Sequence, residues 1–248
     1  MTSDRFFIRQ VQLDSPYVFL KGEEHHHLSH VSRIKTKDKV WLFDEKGKSY
    51  LARVEEIKKG KTKLLILEER KREEANVKII LAQAMLKSKK MEFIIQKSAE
   101  MGITDFIPVM AFRSVAKIEE KTEKKLERWQ KIAREGVKQS QSSWVPHILP
   151  PLPLDELIKE DIAERKLLLC ENRGKYLKDI LLQYESSQKE DLPSSLLILV
   201  GPEGGWTREE EELVLNNGFE AVSLGKNILR AETAAFYSVA LISHFWNS

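Results

Sequence analysis

Apolar and polar positions alternate in short bursts over the first seventy residues. Phe6–Ile8, Tyr17–Leu20, Lys39–Phe43, Ser49–Val54 and Lys63–Leu67 are rich in aromatic and β-branched residues, the composition of half-buried strands. Turn-forming runs separate them, among them Asp14-Ser15-Pro16, Asp44-Glu45-Lys46-Gly47 and Lys59-Gly60. Glu23–Ile34 interrupts the pattern with Leu28, Val31 and Ile34 three residues apart, one face of a helix. Five short strands at near-regular intervals predict a small β-barrel.

Residues 68–76 (EERKREEAN) are a charged run read as a linker, which divides the chain into domains 1–72 and 73–248. The rhythm then lengthens. Val77–Met85 reads as a strand, and Lys89–Met101 as a helix with Ile94, Ile95, Ser98 and Met101 at helical spacing, ended by Gly102. Asp105–Met110 follows as a strand, Glu119–Gln139 as a long charged helix, and then the Pro-rich VPHILPPLPL. Strands at Lys166–Cys170, Ser195–Val200 and Ala221–Leu224 alternate with helices at Gly174–Tyr184, Thr207–Asn216 and Ala231–Trp246. Such alternation predicts an α/β fold with a mainly parallel sheet covered on both faces. Leu196–Val200, apolar throughout, is its central strand.

Charge sharpens the division. Residues 1–72 hold 17 Lys+Arg and 11 Asp+Glu, a balance of +6, whereas residues 73–248 hold 24 and 27, a balance of −3. A basic head points to a polyanionic partner; a lysine-rich solvated surface gives the same count. The single Cys170 excludes a disulfide framework and, ending an apolar strand, reads as core and not as a nucleophile. No apolar stretch approaches 18 residues and MTSDRFFIRQ carries no signal-peptide core, so a cytoplasmic protein without a membrane span is expected. His25-His26-His27 with His30 has ligand chemistry, but neighbours diverge around a helix and no cysteine joins them, so no metal is expected.

Ligands of open α/β sheets lie beyond the carboxyl ends of strands, and two such ends stand out. Gly201-Pro202-Glu203-Gly204-Gly205-Trp206-Thr207 follows the buried strand. Its three glycines fit a close backbone approach to a ligand, or simply a tight turn. Thr207 with Glu210 forms a capping box for the next helix. The second end runs from Leu224-Gly225 through Ile228-Leu229 to Arg230 and Glu232 at a helix start, with Thr233 and Ala234 behind. Arg230 and Glu232 suit polar recognition at the mouth of an apolar crevice, or form a surface pair. The dinucleotide Gly-x-Gly-x-x-Gly, the phosphate-loop Gly-Lys-Ser/Thr and the Gly-x-Ser-x-Gly elbow are all missing.

GPEGG followed about twenty residues later by SLGKNILRAETA resembles the bacterial 16S ribosomal RNA uridine-N3 methyltransferases of the SPOUT superfamily. The likeness extends over nearly the whole chain. It takes in Arg5-Phe6-Phe7, Glu24–Arg33, Gln83–Lys87, Met91–Gly102, Arg113-Ser114-Val115 and the segments around Trp129 and Arg134. Departures fall at Ser32, at Lys37-Asp38 where a Gly-Asp turn is usual, and at Ser88-Lys89.

The resemblance implies a C-terminal sheet tied in a trefoil knot, an N-terminal PUA-like or OB-like barrel, and S-adenosylmethionine (SAM) as cofactor. Leu199, Val200, Gly201, Pro202, Glu203, Gly204 and Gly205 on the first loop would hold it. Leu224, Gly225, Ile228, Leu229, Arg230, Thr233 and Ala234 would do so from the second. Arg230 would stabilise charge on the target base, with Glu203 or Glu232 taking its proton. Arg5, Arg9, His27, Arg33 and Lys35, with Lys87 and Lys90 from the second domain, would meet RNA. Partners implied are 16S ribosomal RNA or the small ribosomal subunit, and a second copy in a homodimer. Two alternatives stay open: methylation of a ribose 2′-oxygen or another base atom, and a non-catalytic RNA-binding assembly factor.

Overall fold

The computed structural model describes residues 4–8, 15–44, 47–70, 75–114, 122–140, 142, 144–184 and 191–247. Packing separates two units, Met1–Glu74 with Val137–Val145, and Ala75–Gly136 with Pro146–Ser248.

The first unit is a curled, five-stranded half-barrel. It is built from β1 (Arg5–Phe7), β2 (Tyr17–Lys21), β3 (Lys39–Phe43), β4 (Ser49–Lys58) and β5 (Lys61–Arg70), in the order β1-β3-β4-β5-β2. β1 pairs parallel with β3; the other pairs are antiparallel. Two-residue alternation sends Val18 and Leu20 inward and leaves Tyr17, Phe19 and Lys21 outside. Phe6, Val40, Leu42, Val54 and Leu64 share that core with Leu28 and Ile34 from the helical segment. The predicted single helix is two pieces, α1 (Gly22–His26) and a π-helical turn (His27–Val31), ending in Arg33 at φ +51°. The charged run predicted as linker is partly strand: Glu68, Glu69 and Arg70 complete β5 opposite Leu51, Tyr50 and Ser49. From the distant segment, Lys138 pairs with Glu24 at 2.6 Å and the Ser142 carbonyl accepts from Arg5 Nη1 at 3.0 Å.

The second unit is an eight-stranded sheet whose assigned pairs are all parallel. In chain order come β6 (Lys78–Ala84), α2 (Ser88–Glu100), β7 (Asp105–Met110), α3 (Thr122–Ser140), β8 (His147–Ile148), β9 (Leu152–Pro153), α4 (Leu154–Leu157) and β10 (Arg165–Leu169). After them come β11 (Lys175–Tyr176), α5 (Leu177–Leu182), β12 (Ser195–Val200), α6 (Arg208–Leu215), β13 (Glu220–Ser223) and α7 (Ala231–Asn247). The order β11-β13-β10-β12-β6-β7-β8 puts β12 near the middle, with β9 on β7. Alternation along β12 divides its side chains between two cores. Leu197 and Leu199 join Leu154 and Leu157 of α4 and Val214 of α6, while Leu196, Ile198 and Val200 point to the opposite face, where α7 packs on β12 and β6. Among the described residues no helix is long and apolar enough to cross a membrane.

Candidate active site

A cavity of about 650 Å3 opens beyond the carboxyl ends of β10, β12 and β13, where open parallel sheets bind ligands. That volume lies within the range of small-molecule and cofactor sites. Both glycine turns line it, as does a third segment, Cys170–Arg173, in which the sequence pattern shows only the end of a core strand and a loop. The turn after β12 needs its glycines. Gly205 holds φ at +68°, and a Cβ on Gly201 would approach the Trp206 indole to 3.0 Å. Thr207 then caps α6: its hydroxyl accepts the Glu210 N–H and the Glu210 carboxylate accepts the Thr207 N–H, the predicted capping box.

Neighbouring strands brace this turn. Gln83, opposite Val200 across the β6–β12 register, is fully buried and donates from Nε2 to the Gly201 carbonyl at 3.1 Å. Arg113, in the loop after β7, donates from Nη1 to the Gly204 carbonyl at 2.7 Å and the Trp206 carbonyl at 3.4 Å. The Glu210 carboxylate also accepts the Phe112 N–H at 2.7 Å. Sequence spacing signals none of these ties, because each joins segments about a hundred residues apart.

The charged lining is organised around one lysine. Lys90 Nζ lies 2.5 Å from Glu203 Oε1 and 3.4 Å from Glu232 Oε1. The hydrogen bond from Lys90 holds the Glu203 carboxyl below the usual carboxylate range, and the same bond raises the Lys90 ammonium. Arg230 is exposed at the cavity wall, and its guanidinium makes no hydrogen bond or ion pair with the described residues. On the third segment, exposed Arg173 pairs with Glu211 at 2.8 Å, and burial pushes the Cys170 thiol up. The Trp206 indole N–H is buried without a hydrogen-bond partner among the described residues.

Of the residues expected at the cofactor, Val200, Gly201, Pro202, Glu203, Gly204, Gly205, Leu224, Ile228, Leu229, Arg230 and Ala234 line the cavity, and so does Glu232. Three do not. Leu199 faces the α4–α6 core because its neighbour Val200 takes the cavity side. Gly225, at φ +139°, lines a smaller adjoining cavity with Tyr176 and Tyr237. Thr233 is exposed on α7, away from the cavity lining. Among the RNA candidates, Arg33, Lys35 and Lys87 are exposed, and Arg9 lies outside the described residues. Arg5 is instead half-buried on Ser142, and His27 packs edge-on against Phe6 at 5.6 Å between ring centroids. Lys90, expected on RNA, sits in the cavity between the two carboxylates. The histidines have ordinary partners: His25 Nδ1 is 2.8 Å from the buried Thr62 hydroxyl, and His26 stacks on His30.

A family described as RNA methyltransferase domain matches residues 73–243, and an RNA methyltransferase PUA domain matches residues 20–67. This chain belongs to the RNA methyltransferase family. The methyltransferase is 33% identical over 258 residues to the Ribosomal RNA small subunit methyltransferase E of Bacillus subtilis, covering 97% of this chain and 96% of the relative. The Synechocystis protein of the same name is 32% identical over 246 residues, covering 96% and 77%. In structure the methyltransferase is similar to a Neisseria gonorrhoeae Ribosomal RNA small subunit methyltransferase E bound to S-adenosyl methionine, with TM-score 0.86, 33% identity and 98% coverage of both chains. A Legionella pneumophila protein in complex with the bound cofactor SAM also gives TM-score 0.86, at 29% identity and 98% coverage of both.

Proposed function

We propose that this methyltransferase transfers a methyl group from SAM to N3 of a uridine in small-subunit (16S) ribosomal RNA. The observation that carries the reading is the convergence of both glycine turns on one cavity, in a chain matched end to end by relatives named for small-subunit ribosomal RNA. The residues present fit the cofactor. Leu224, Ile228, Leu229 and Ala234 give an apolar wall for an adenine. The glycine turn offers close backbone, and the Trp206 N–H, without a partner among the described residues, is a buried donor at the same cavity. When bound, SAM supplies an electrophilic methyl carbon on a sulfonium.

The chain's own contribution is to position and to handle charge. Holding the base nitrogen in line accounts for on the order of 7–11 kcal/mol of the barrier in well-oriented systems. Arg230, free of partners among the described residues, stabilises charge on the uracil oxygens, and Glu232 or Glu203 takes the N3 proton. Exposed Arg33, Lys35 and Lys87 meet RNA phosphates. A homodimer and a cytoplasmic location belong to the same reading. So does the trefoil knot, supported by a path from β12 across β10 to β13 and the return of α7 onto β6 and β12.

The test incubates the protein with methyl-labelled SAM and ribosomal RNA from a strain lacking the gene, followed by nucleoside mass spectrometry. Label in 3-methyluridine is expected. Label in a 2′-O-methyl nucleoside or another base overturns the N3 position, and no label despite measured SAM and RNA binding overturns catalysis. Arg230→Ala is expected to lose about 10²–10³-fold in kcat, the usual cost of removing a charge-stabilising donor, with SAM calorimetry separating that loss from any change in cofactor affinity.

A further inference from the structure

Three segments far apart in sequence bring Lys90, Glu203 and Glu232 together. Lys90 stands in the first turn of α2, Glu203 in the glycine turn after β12, and Glu232 in the first turn of α7. All three line the cavity. The other cations of the cavity lining are Arg230 before α7, Arg113 after β7 and Arg173, which pairs with Glu211, and Lys87 lies close enough for its charge to act on Glu203. The Lys90 and Glu203 side chains are about a third exposed, at 36% and 32%, so water screens their pair and a new partner can replace either member readily.

The proposed reaction makes one severe demand. An imide N–H is a far weaker acid than a carboxyl group, so a carboxylate alone takes the N3 proton uphill. A cation on a flanking carbonyl oxygen lowers that cost, because the imide anion spreads its charge onto both oxygens. Lys90 holds Glu203 the more closely, at 2.5 Å against 3.4 Å for Glu232, which leaves the Glu232 carboxylate the freer to meet the base. The ammonium stabilises the ionised form of Glu203, and that carboxylate keeps Lys90 protonated. The arrangement therefore stores a cation beside the reaction centre.

We propose that Lys90 is a catalytic residue whose ammonium passes from Glu203 to a carbonyl oxygen flanking N3 of the target uracil, stabilising the charge that forms as N3 loses its proton to Glu232. The inference rests on the uridine-N3 reading. The N–H bond breaks with its electron pair left on the ring, and the proton moves to the Glu232 carboxylate and then to water. The nitrogen pair forms the new N–CH3 bond while the carbon–sulfur pair stays on sulfur. The base gains a methyl group and releases one proton, with no oxidant or reductant required.

The test compares wild type, Lys90→Met and Lys90→Arg on two RNAs, one with uridine at the target and one with 5-fluorouridine, whose N3–H is more acidic. Lys90→Met is expected to lower kcat on uridine RNA at pH 7 by about 10²–10³-fold, with KM little changed. The deficit shrinks as pH rises and on the fluorinated RNA, and Lys90→Arg recovers most of the rate. A second readout needs no methyl transfer. By fluorescence anisotropy without cofactor, wild type prefers fluorinated RNA increasingly as pH rises, and Lys90→Met shows no preference. SAM calorimetry on each variant checks that the site is folded. A loss equal on both RNAs and at every pH, or a rise in KM alone, overturns the role of Lys90 while wild-type 3-methyluridine formation stands. Wild type that labels another nucleoside overturns both readings.

Discussion

Lys37 holds φ at +77°, a left-handed conformation that costs a side-chain-bearing residue about 1–2 kcal/mol. The turn is kept by the Lys37 N–H on the Val54 carbonyl at 2.7 Å and the Lys35 N–H on the Asp38 carboxylate at 2.8 Å. Lys37→Gly removes the steric cost and returns part of it as unfolded-chain entropy. A net gain of about 0.5 kcal/mol is expected, read as a Tm rise of about 1–2 °C by calorimetry. The lysine is exposed and adds one cation to the basic unit. At this scale the candidate site was half legible. The glycines and Arg230 announce themselves by type and spacing, whereas the place of Lys90 depends on how α2 packs against two other segments, which local pattern does not encode.

Elements carry most of what the sequence made readable. Two-residue alternation marks the strands of the first unit, and unbroken apolar runs such as Leu196–Val200 mark those of the second. The bounds follow less well: β4 and β5 run on to Lys58 and Arg70, and Lys175–Tyr176, expected within a helix, is strand. Pairing partners do not follow from such patterns, and two close approaches show what pairing adds. Gly136 lets α3 lie against α2, for a Cβ there would meet the Gln96 carbonyl at 2.5 Å. Gly136→Ala is expected to destabilise the fold by about 1–3 kcal/mol through overpacking, measured as a lower urea midpoint. At the sheet, Arg165 on β10 forks both oxygens of Glu220 on β13 at 2.8 and 2.9 Å. That hydrogen bonding holds the Glu220 carboxyl below its usual range, against the opposing effect of burial. Its contribution to stability is complete above the ordinary glutamate pKa and is lost as pH falls through the lower folded value. The Glu220 side chain is 47% exposed, so screening limits the effect to about 0.5 kcal/mol. Glu220→Gln is therefore less stable than wild type at neutral pH, and urea titrations of the two converge in acid.

Across the whole molecule, charge and catalysis are assigned to different stretches of chain. Arg33 and Lys35 are exposed in the basic first unit, and an Arg33→Glu/Lys35→Glu variant is expected to bind target RNA more weakly. Its log–log salt slope falls by about 0.7–0.9 for each phosphate that is no longer neutralised, while SAM affinity by calorimetry is unchanged. The uneven charge was visible in a residue count. The packing of Val137–Val145 with the first unit was not, because it depends on Lys138 meeting Glu24 and Ser142 meeting Arg5, pairs separated by 114 and 137 residues. The two glycine turns of the cavity were foreseeable, and Lys90 and Arg113, which also line it, were not placed there by the sequence. Nor does Cys170–Arg173 carry a glycine pattern or a familiar motif to mark it.

The ties among Phe112, Arg113, Gly204, Trp206 and Glu210 have a consequence for whatever binds there. The loop after β7 is hydrogen-bonded to the glycine turn and to the start of α6, so freezing one freezes the others. A molecule that settles against the turn therefore meets a rim already tied to the loop after β7 and to the start of α6, with Phe112 of that loop held out into solvent.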